Sequence, residues 1–202
     1  MSLARQPIIG PFPVAQDPNV TAPIPDPSPT PQGAIDGPGF LAICSARIAE
    51  LYALWDAKRA GRRLPSRRDF DVAELKPWLG WIAMYDVAAN ALPDGHDFRY
   101  RLVGTNFVRY HNSDPTGQRV SEQGLASDRR AMLENLRGIC AARLPRYRQD
   151  NLPCIDMRTY TPPRLYLPLA EDGETVDVIL LLGADPVDAS GCIADVSYAG
   201  TL

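Results

Sequence analysis

The sequence lacks the features that mark exported and membrane-spanning proteins. Its longest uninterrupted apolar run covers residues 178–182, whereas a membrane-spanning helix needs roughly 20 such residues. The first residues contain no apolar core of a signal peptide, and the prolines among them would break any helix. We therefore expect a protein that acts in the cytoplasm.

Cysteine and histidine are scarce, with four and two residues respectively. No two cysteines form a Cys-x-x-Cys pair, which excludes zinc ribbons and thioredoxin-type motifs and leaves no expected metal site. Such cysteines, without a secretion signal, are typical of reduced thiols that pack as small apolar side chains. The sequence also has no Gly-x-Ser-x-Gly, His-Glu-x-x-His or Gly-x-x-x-x-Gly-Lys motif, so we expect no catalytic site.

Proline divides the 202 residues into a tail and one domain. Ten of the 20 prolines fall within residues 1–38. Because proline fixes φ and removes a backbone donor, we expect this tail to be disordered or locally polyproline II. It serves either as a plain linker or as a docking segment for an aromatic-lined groove. Residues 39–202 are long enough to bury a sizeable core.

The first helix is predicted over residues 40–60. Leu41, Cys44, Ile48, Leu51 and Trp55 recur at intervals of three and four, which places them on one helical stripe. The stripe packs either on its own domain or on the same stripe of a second copy, which would make it a dimer interface.

A basic segment follows at residues 58–68, with six basic residues and no acidic one. Arg62, Arg63, Arg67 and Arg68 would suit a nucleic-acid or phosphate surface. However, carboxylates flank the segment and the net charge of the chain is −3. These two facts favour a solvated, partly ion-paired surface.

Two hairpins are predicted. Residues 81–87 and 97–103 read as strands around a turn, and in the second strand Phe98, Tyr100 and Leu102 alternate on one face. Residues 164–169 and 175–182 flank Asp-Gly, a strong hairpin signal. Pro168 indicates that its strand lies at an edge or is bulged there. Further strands are predicted within 154–160 and 192–198.

Three helices are predicted between and before these hairpins. Asp71 and Glu74 form a capping box for a short helix that ends before Pro77. Residues 104–110 form a short helical turn. Residues 125–142 form a longer helix with an apolar stripe of Leu125, Met132, Leu136 and Ile139.

This order of elements indicates an α+β fold with an antiparallel sheet. The chain resembles a PAS-type sensor domain, and more narrowly a bacterial family of small, mostly stand-alone PAS-like proteins, over residues 41–183. The segments that carry the resemblance are Trp55 with Gly-Arg-Arg-Leu-Pro-Ser-Arg at 61–67, Asp-Phe-Arg-Tyr-Arg-Leu-Val-Gly-Thr at 97–105, Thr116-Gly117, and Tyr-Leu-Pro-Leu at 166–169 with Asp172-Gly173.

The resemblance implies a five-stranded antiparallel sheet with helices on one face and an apolar pocket between them. It also implies small-ligand binding, dimerisation and signalling. No cysteine lies in the Asn-Cys-Arg-Phe context of covalent flavin domains, so that photochemistry is excluded. A surface or hydrogen-bonded role for His111 is favoured over haem ligation, and His96 is expected to face water. The cofactor is therefore unknown, with haem and flavin not expected.

The candidate wall residues of the pocket are Met84, Phe98, Tyr100, Arg101, Phe107, Tyr110, Met132 and Tyr166. Arg101 is the most interesting polar candidate, although strand alternation places it opposite Phe98 and Tyr100, where it would pair with a carboxylate.

Three hypotheses follow. The first is a sensory or regulatory domain that binds a small molecule in its core and signals as a homodimer or through a partner protein. The second is a ligand-free protein–protein interaction module. The third is a nucleic-acid binder that uses the arginines of residues 62–68. None of them is an enzyme.

Overall fold

An antiparallel sheet of six strands organises the chain, and its strand order is β1-β4-β7-β8-β2-β3. The computed structural model describes residues 33–149, 152–153, 159–160 and 163–183. The strands of the sheet are Gly33–Asp36 (β1), Ile82–Leu92 (β2), Gly95–Val103 (β3), Arg146–Gln149 (β4), Pro163–Leu169 (β7) and Val178–Gly183 (β8). A separate two-stranded ribbon consists of Leu152–Pro153 (β5) and Thr159–Tyr160 (β6).

The helices within the described residues are Ala46–Arg59 (α1), Val72–Leu75 (α2), Thr105–His111 (α3) and Ala126–Ala142 (α4). The predicted α+β class is confirmed. The capping box is also confirmed, because the Asp71 carboxylate accepts from the backbone N–H of Ala73 and the Glu74 carboxylate accepts from that of Asp71. The predicted strand at 192–198 lies outside the described residues.

Both predicted hairpins form. β2 pairs with β3 and β7 pairs with β8, each antiparallel. The register of the first hairpin shifts between Met84 and Tyr85, so that Met84 faces Leu102 and Tyr85 faces Tyr100. Neighbouring residues of a strand point to opposite faces. The shift therefore puts Leu102 on the other face from Tyr100, and the predicted strict alternation is wrong at Leu102.

The sixth strand, β1, was not predicted, because its sequence has no apolar alternation. Residues 33–36 were assigned to the tail, yet they pair with β4. A two-pronged ion pair adds to the backbone ladder: Arg146 Nε and Nη2 lie 2.6 and 2.8 Å from the two carboxylate oxygens of Asp36. The predicted disorder of the earlier tail concerns residues 1–32, which lie outside the described residues.

The central strands are covered on both faces. Every residue of β8 is buried, and so are the last five residues of β7. On one face the Phe40 ring stacks on Tyr147, and Tyr52 of α1 packs edge-on against Phe40. On the other face α4 lies over β4, where Arg146 Nη1 donates to the Asn135 carbonyl at 3.1 Å. We call these the α1 face and the α4 face. The N-terminal helix therefore covers a second face of the sheet.

The N-terminal helix begins later than predicted. Residues Pro38–Ala42 form a 3-10 helix and α1 starts only at Ala46, so Leu41 and Cys44 lie before it. The other three residues of the stripe, Ile48, Leu51 and Trp55, are buried against the chain's own core. For these three side chains, the alternative in which the stripe packs on its own domain is therefore the correct one. Homodimerisation itself stays a prediction.

Trp55 ties α1 to the sheet. Its Nε1 donates to the carbonyl oxygen of Pro168 at 2.9 Å. β4 pairs with β7 only as far as Tyr166, so Pro168 lies beyond the end of β4. Although β7 is an internal strand, β4 does not pair with it at the proline, which explains how an internal strand tolerates a missing N–H there.

The stripe predicted for α4 is wrong at one end. Leu125 is the residue before the helix and is 72% exposed. The buried side of α4 consists instead of Leu133, Asn135, Leu136 and Ile139. Met132 is half-buried beside them and packs against the core.

Truncation of Leu51 tests the role of α1. We expect Leu51→Ala to lower the free energy of unfolding by about 2–5 kcal/mol, because it leaves a cavity in the core. Leu41→Ala is the matched control, since Leu41 is 41% exposed, and it should cost less than about 0.5 kcal/mol. Urea unfolding measures both. The stripe would instead lie between two copies if both variants lost little free energy of unfolding and only Leu51→Ala converted a dimer into a monomer.

Candidate functional site

Three tyrosines lie together on the α4 face. Tyr85 and Tyr100 are cross-strand partners with ring centroids 5.0 Å apart, and Tyr166 extends from β7 on the same face. Tyr85 is 2% exposed and Tyr166 is 1% exposed. Burial raises the pKa of Tyr85 well above its ordinary value, and the nearby Tyr100 and Tyr166 raise it further. Burial also raises the pKa of Tyr100. Both hydroxyls are therefore neutral at pH 7, and the two side chains hydrogen-bond to each other.

Two arginines stand side by side at the β4–β7 end of this face. The register pairs Arg148 directly with Arg164. Asn135, which is 4% exposed, reaches them from α4, and its Oδ1 accepts from Arg148 Nη1 at 3.1 Å. The Nδ2 atom of the same amide is buried and has no hydrogen-bond partner among the described residues. This end of the site is rich in donors and positive charge.

Helix α3 closes the end of the face beside β8. A Cβ at Gly183 would lie 2.5 Å from the Phe107 ring, so the ring packs directly on the glycine. The Phe107 ring also packs edge-on against Trp81. His111 follows one turn later, with its ring 6.3 Å from that of Phe107. Partial burial of the imidazole lowers the pKa of His111, and the charge of Arg164 lowers it further, so it is neutral at pH 7.

The structure brings several predicted wall residues together. Phe98, Tyr100 and Tyr166 share the α4 face by strand register. Phe107 adjoins them from α3, and Met132 packs against the same core from α4.

Other predicted wall residues are not in this group. Met84 is buried on the α1 face, because it precedes Tyr85 in β2 and neighbouring residues point to opposite faces. Arg101 is half exposed, and its Nη1 lies 2.9 Å from Asp86 Oδ1, so it pairs with a carboxylate, as strand alternation indicated. The side chain of Tyr110 lies outside the described part of the chain.

Sequence reasoning missed Tyr85, Asn135, Arg148 and Arg164. Strand β4 was not predicted, because Arg-Tyr-Arg-Gln is mostly polar. Its alternation was still a signal: Tyr147 is buried while Arg146 and Arg148 point to the opposite face. That Arg148 meets Arg164 follows only from the pairing register.

Asp97, at the start of the predicted 97–103 strand, holds a neighbouring loop in place. Its buried carboxylate accepts from Ser121 Oγ at 2.8 Å, from the Phe98 backbone N–H at 2.8 Å and from Arg119 Nη1 at 3.2 Å. Burial raises the pKa of this carboxyl, but the hydrogen bonds from Ser121, Phe98 and Arg119 outweigh burial, so the net pKa is lowered. The carboxylate thus fixes residues 119–121 against β3.

The arginines of the basic segment make contacts within the chain. Arg62 Nη2 lies 2.5 Å from Asp69 Oδ2, and Arg68 Nη1 lies 2.8 Å from Glu171 Oε1. Arg67 donates to the carbonyl oxygen of Phe70. This is the partly ion-paired surface that the sequence favoured, with Arg63 exposed beside it.

Cys44 and Cys140 are free thiols, and burial raises the pKa of Cys140 to about 12. Its thiol therefore stays protonated at pH 7. Within the described residues, no three side chains of the metal-ligating types form a cluster. In that same part of the chain no helix is long and apolar enough to cross a membrane.

The family model described as PAS domain matches residues 44–184. The chain belongs to the PAS domain family. PAS domains are generally sensory, non-enzymatic modules, and membership indicates a sensory or regulatory interaction role. The predicted family resemblance is thereby confirmed. A search of curated proteins found no match, and a search of solved structures found none either.

Replacement of Asp97 by asparagine tests the buried carboxylate of this PAS domain. We expect Asp97→Asn to lower the free energy of unfolding by about 1–3 kcal/mol at pH 7, because the donors that now point at a charged carboxylate would be left with a neutral amide. Because the pKa of Asp97 is lower in the folded chain than in the unfolded chain, its ionised carboxylate stabilises the fold above the unfolded pKa of about 3.9. This stabilisation is lost as the pH falls through the folded-state pKa. The gap between wild type and variant should therefore close below about pH 4.

Asp86→Asn is the control, because Asp86 pairs with Arg101 at the surface. It should cost less than about 1 kcal/mol. Urea unfolding of the three proteins at several pH values gives the comparison. Equal losses from the two variants at pH 7 would contradict the role given to Asp97.

Proposed function

We propose that this PAS domain is a sensory module that binds a small molecule between its sheet and helices α3 and α4. The observation that carries the proposal is the Nδ2 atom of Asn135, a buried amide donor on the α4 face that has no partner among the described residues. Burying a polar group without a hydrogen bond is costly in free energy. A bound molecule that accepts a hydrogen bond from this amide would offset that cost.

The position of the site suits signalling. Phe107 of α3 and Asn135 of α4 both contact the sheet at the site, so a ligand there would touch two helices and the strands at once. Ligand binding shifts a protein between states only if the ligand contacts those states differently. A ligand that touches α3, α4 and the strands would contact two states differently if these elements moved relative to one another.

The proposal also includes a homodimer or a partner protein that receives the signal, and a cytoplasmic location. Ile48, Leu51 and Trp55 belong to the core of one chain, so a dimer through this end would use the exposed Leu41 and Ile43. The free thiols of Cys44 and Cys140 support a reducing compartment.

Native mass spectrometry of the full chain, beside the same sample denatured, tests ligand binding. We expect a stoichiometric extra mass that disappears on denaturation. Asn135→Leu should lose this mass, because it removes the amide from the site. Arg101→Gln, which changes an exposed arginine on the same sheet, should keep it.

The contrary result is a folded wild-type chain with no extra mass. That outcome would favour the ligand-free interaction module, in which side chains fill the core. An extra mass retained by Asn135→Leu would move the ligand away from the α4 face.

A further inference from the structure

The turn end of the β2–β3 hairpin contains an irregular stretch. The register of the two strands shifts between Ala88 and Leu92, where three residues of β2 stand opposite the half-buried His96 of β3. Asn90, in the middle of this stretch, has a left-handed backbone with a φ of 51°. Its N–H donates to Nδ1 of the His96 side chain at 3.0 Å. The imidazole thus takes the place that a backbone acceptor has in a regular ladder.

This hydrogen bond requires a neutral imidazole. A ring nitrogen accepts only when it carries no proton, so the proton of neutral His96 lies on Nε2. A protonated imidazole carries a proton on both nitrogens, and two donors would then face each other. Histidine is the side chain whose charge ordinarily changes between pH 5 and 8. Protonation in that range removes the acceptor of the Asn90 N–H.

An arginine of α4 holds the same end of the hairpin. Arg137 Nη1 and Nη2 lie 2.8 and 3.0 Å from the two carboxylate oxygens of Asp94, and Arg137 Nε donates to the carbonyl oxygen of His96 at 2.9 Å. A Cβ at Gly95 would lie 3.5 Å from the same Nε, so the guanidinium lies along the backbone of the turn. One side chain therefore joins α4 to three consecutive residues of the hairpin.

The charges around this contact leave little to balance a second cation. The hydrogen bond from Arg137 lowers the pKa of Asp94, and the same bond raises the pKa of Arg137, so both groups are charged between pH 5 and 8. Both oxygens of Asp94 are engaged by Arg137. Asp97 and Glu134 are the further carboxylates whose charge acts on Arg137. A proton on His96 adds positive charge beside a guanidinium that is already positive, and like charges at close range repel.

We propose that His96 is a pH-sensitive switch in the contact between the β2–β3 hairpin and α4. Neutral His96 holds the Asn90 N–H and offers its carbonyl oxygen to Arg137. Protonation releases Asn90 and weakens the hold of Arg137 on the hairpin. Since α4 also carries Asn135, two residues before Arg137, this change reaches the candidate site. The switch needs no bound ligand, so its failure would leave the proposed function intact.

Nuclear magnetic resonance of the full wild-type chain between pH 8 and pH 5 tests the switch. The protection of the Asn90 amide against hydrogen exchange, corrected for the intrinsic rate at each pH, should fall at least about fivefold on acidification, the effect of losing one ordinary hydrogen bond. The resonance of Arg137 Nε–H should move over the same pH range. Both changes should share the midpoint of the His96 imidazole resonances. These measurements do not depend on a variant folding.

Two variants then assign the response. His96→Asn keeps a side-chain acceptor close to the position of Nδ1 and cannot titrate, so the protection of Asn90 should be the same at pH 8 and pH 5. His111→Asn is the matched control, because His111 is the other histidine of the chain, and it should keep the wild-type response. Far-ultraviolet circular dichroism confirms that each variant is folded.

Four results would overturn the switch. The first is a His96 imidazole that keeps the same charge from pH 8 to pH 5. The second is an unchanged protection of Asn90 while that imidazole titrates. The third is an Arg137 Nε–H resonance that does not respond when Asn90 does, because the change would then end within the hairpin. The fourth is a response that persists in His96→Asn and disappears in His111→Asn.

Discussion

The architecture of this PAS domain follows from two central strands that are buried on both sides over residues 165–169 and 178–183. β7 and β8 pair with each other at the centre of the sheet, and every residue from Val178 to Gly183 is buried. A strand of this kind cannot leave either face to water, because each exposed side chain would lose the free energy of burial. One helical layer is therefore not enough, and α1 and α4 lie on opposite sides of the same pair.

Local chemistry made much of this fold predictable. The capping box of Asp71 and Glu74, the Asp-Gly turn between β7 and β8, and the hairpin of β2 and β3 are each specified by residues close together in sequence. Trp55 was also placed on the inner stripe of its helix, although whether that stripe met its own sheet or another copy could not be decided. A pattern of apolar residues shows that a face is covered and does not show by what.

The parts that could not be predicted depend on register and long-range pairing. β1 and β4 are short and polar, and they form because they meet each other and β7. One shift between Met84 and Tyr85 moves Leu102 to the other face, so a correct strand still gave one wrong neighbour. The candidate site shows the same limit. Its aromatic members Phe98, Tyr100, Phe107 and Tyr166 were predicted. Arg148 lies 13 residues from Asn135 and 16 residues from Arg164 in the chain, and only a side-chain contact with α4 and the pairing of β4 with β7 bring these three together.

The contact between Trp55 and Pro168 has a consequence for the behaviour of the chain in concentrated solution. Beyond the end of β4 the edge of β7 would ordinarily present backbone groups to which a strand of another molecule can add, the first step towards a fibrous aggregate. Here the proline has no N–H to offer, and the indole occupies its carbonyl oxygen. Neither backbone group of Pro168 is therefore available to an added strand, and the two residues responsible lie 113 positions apart in the chain.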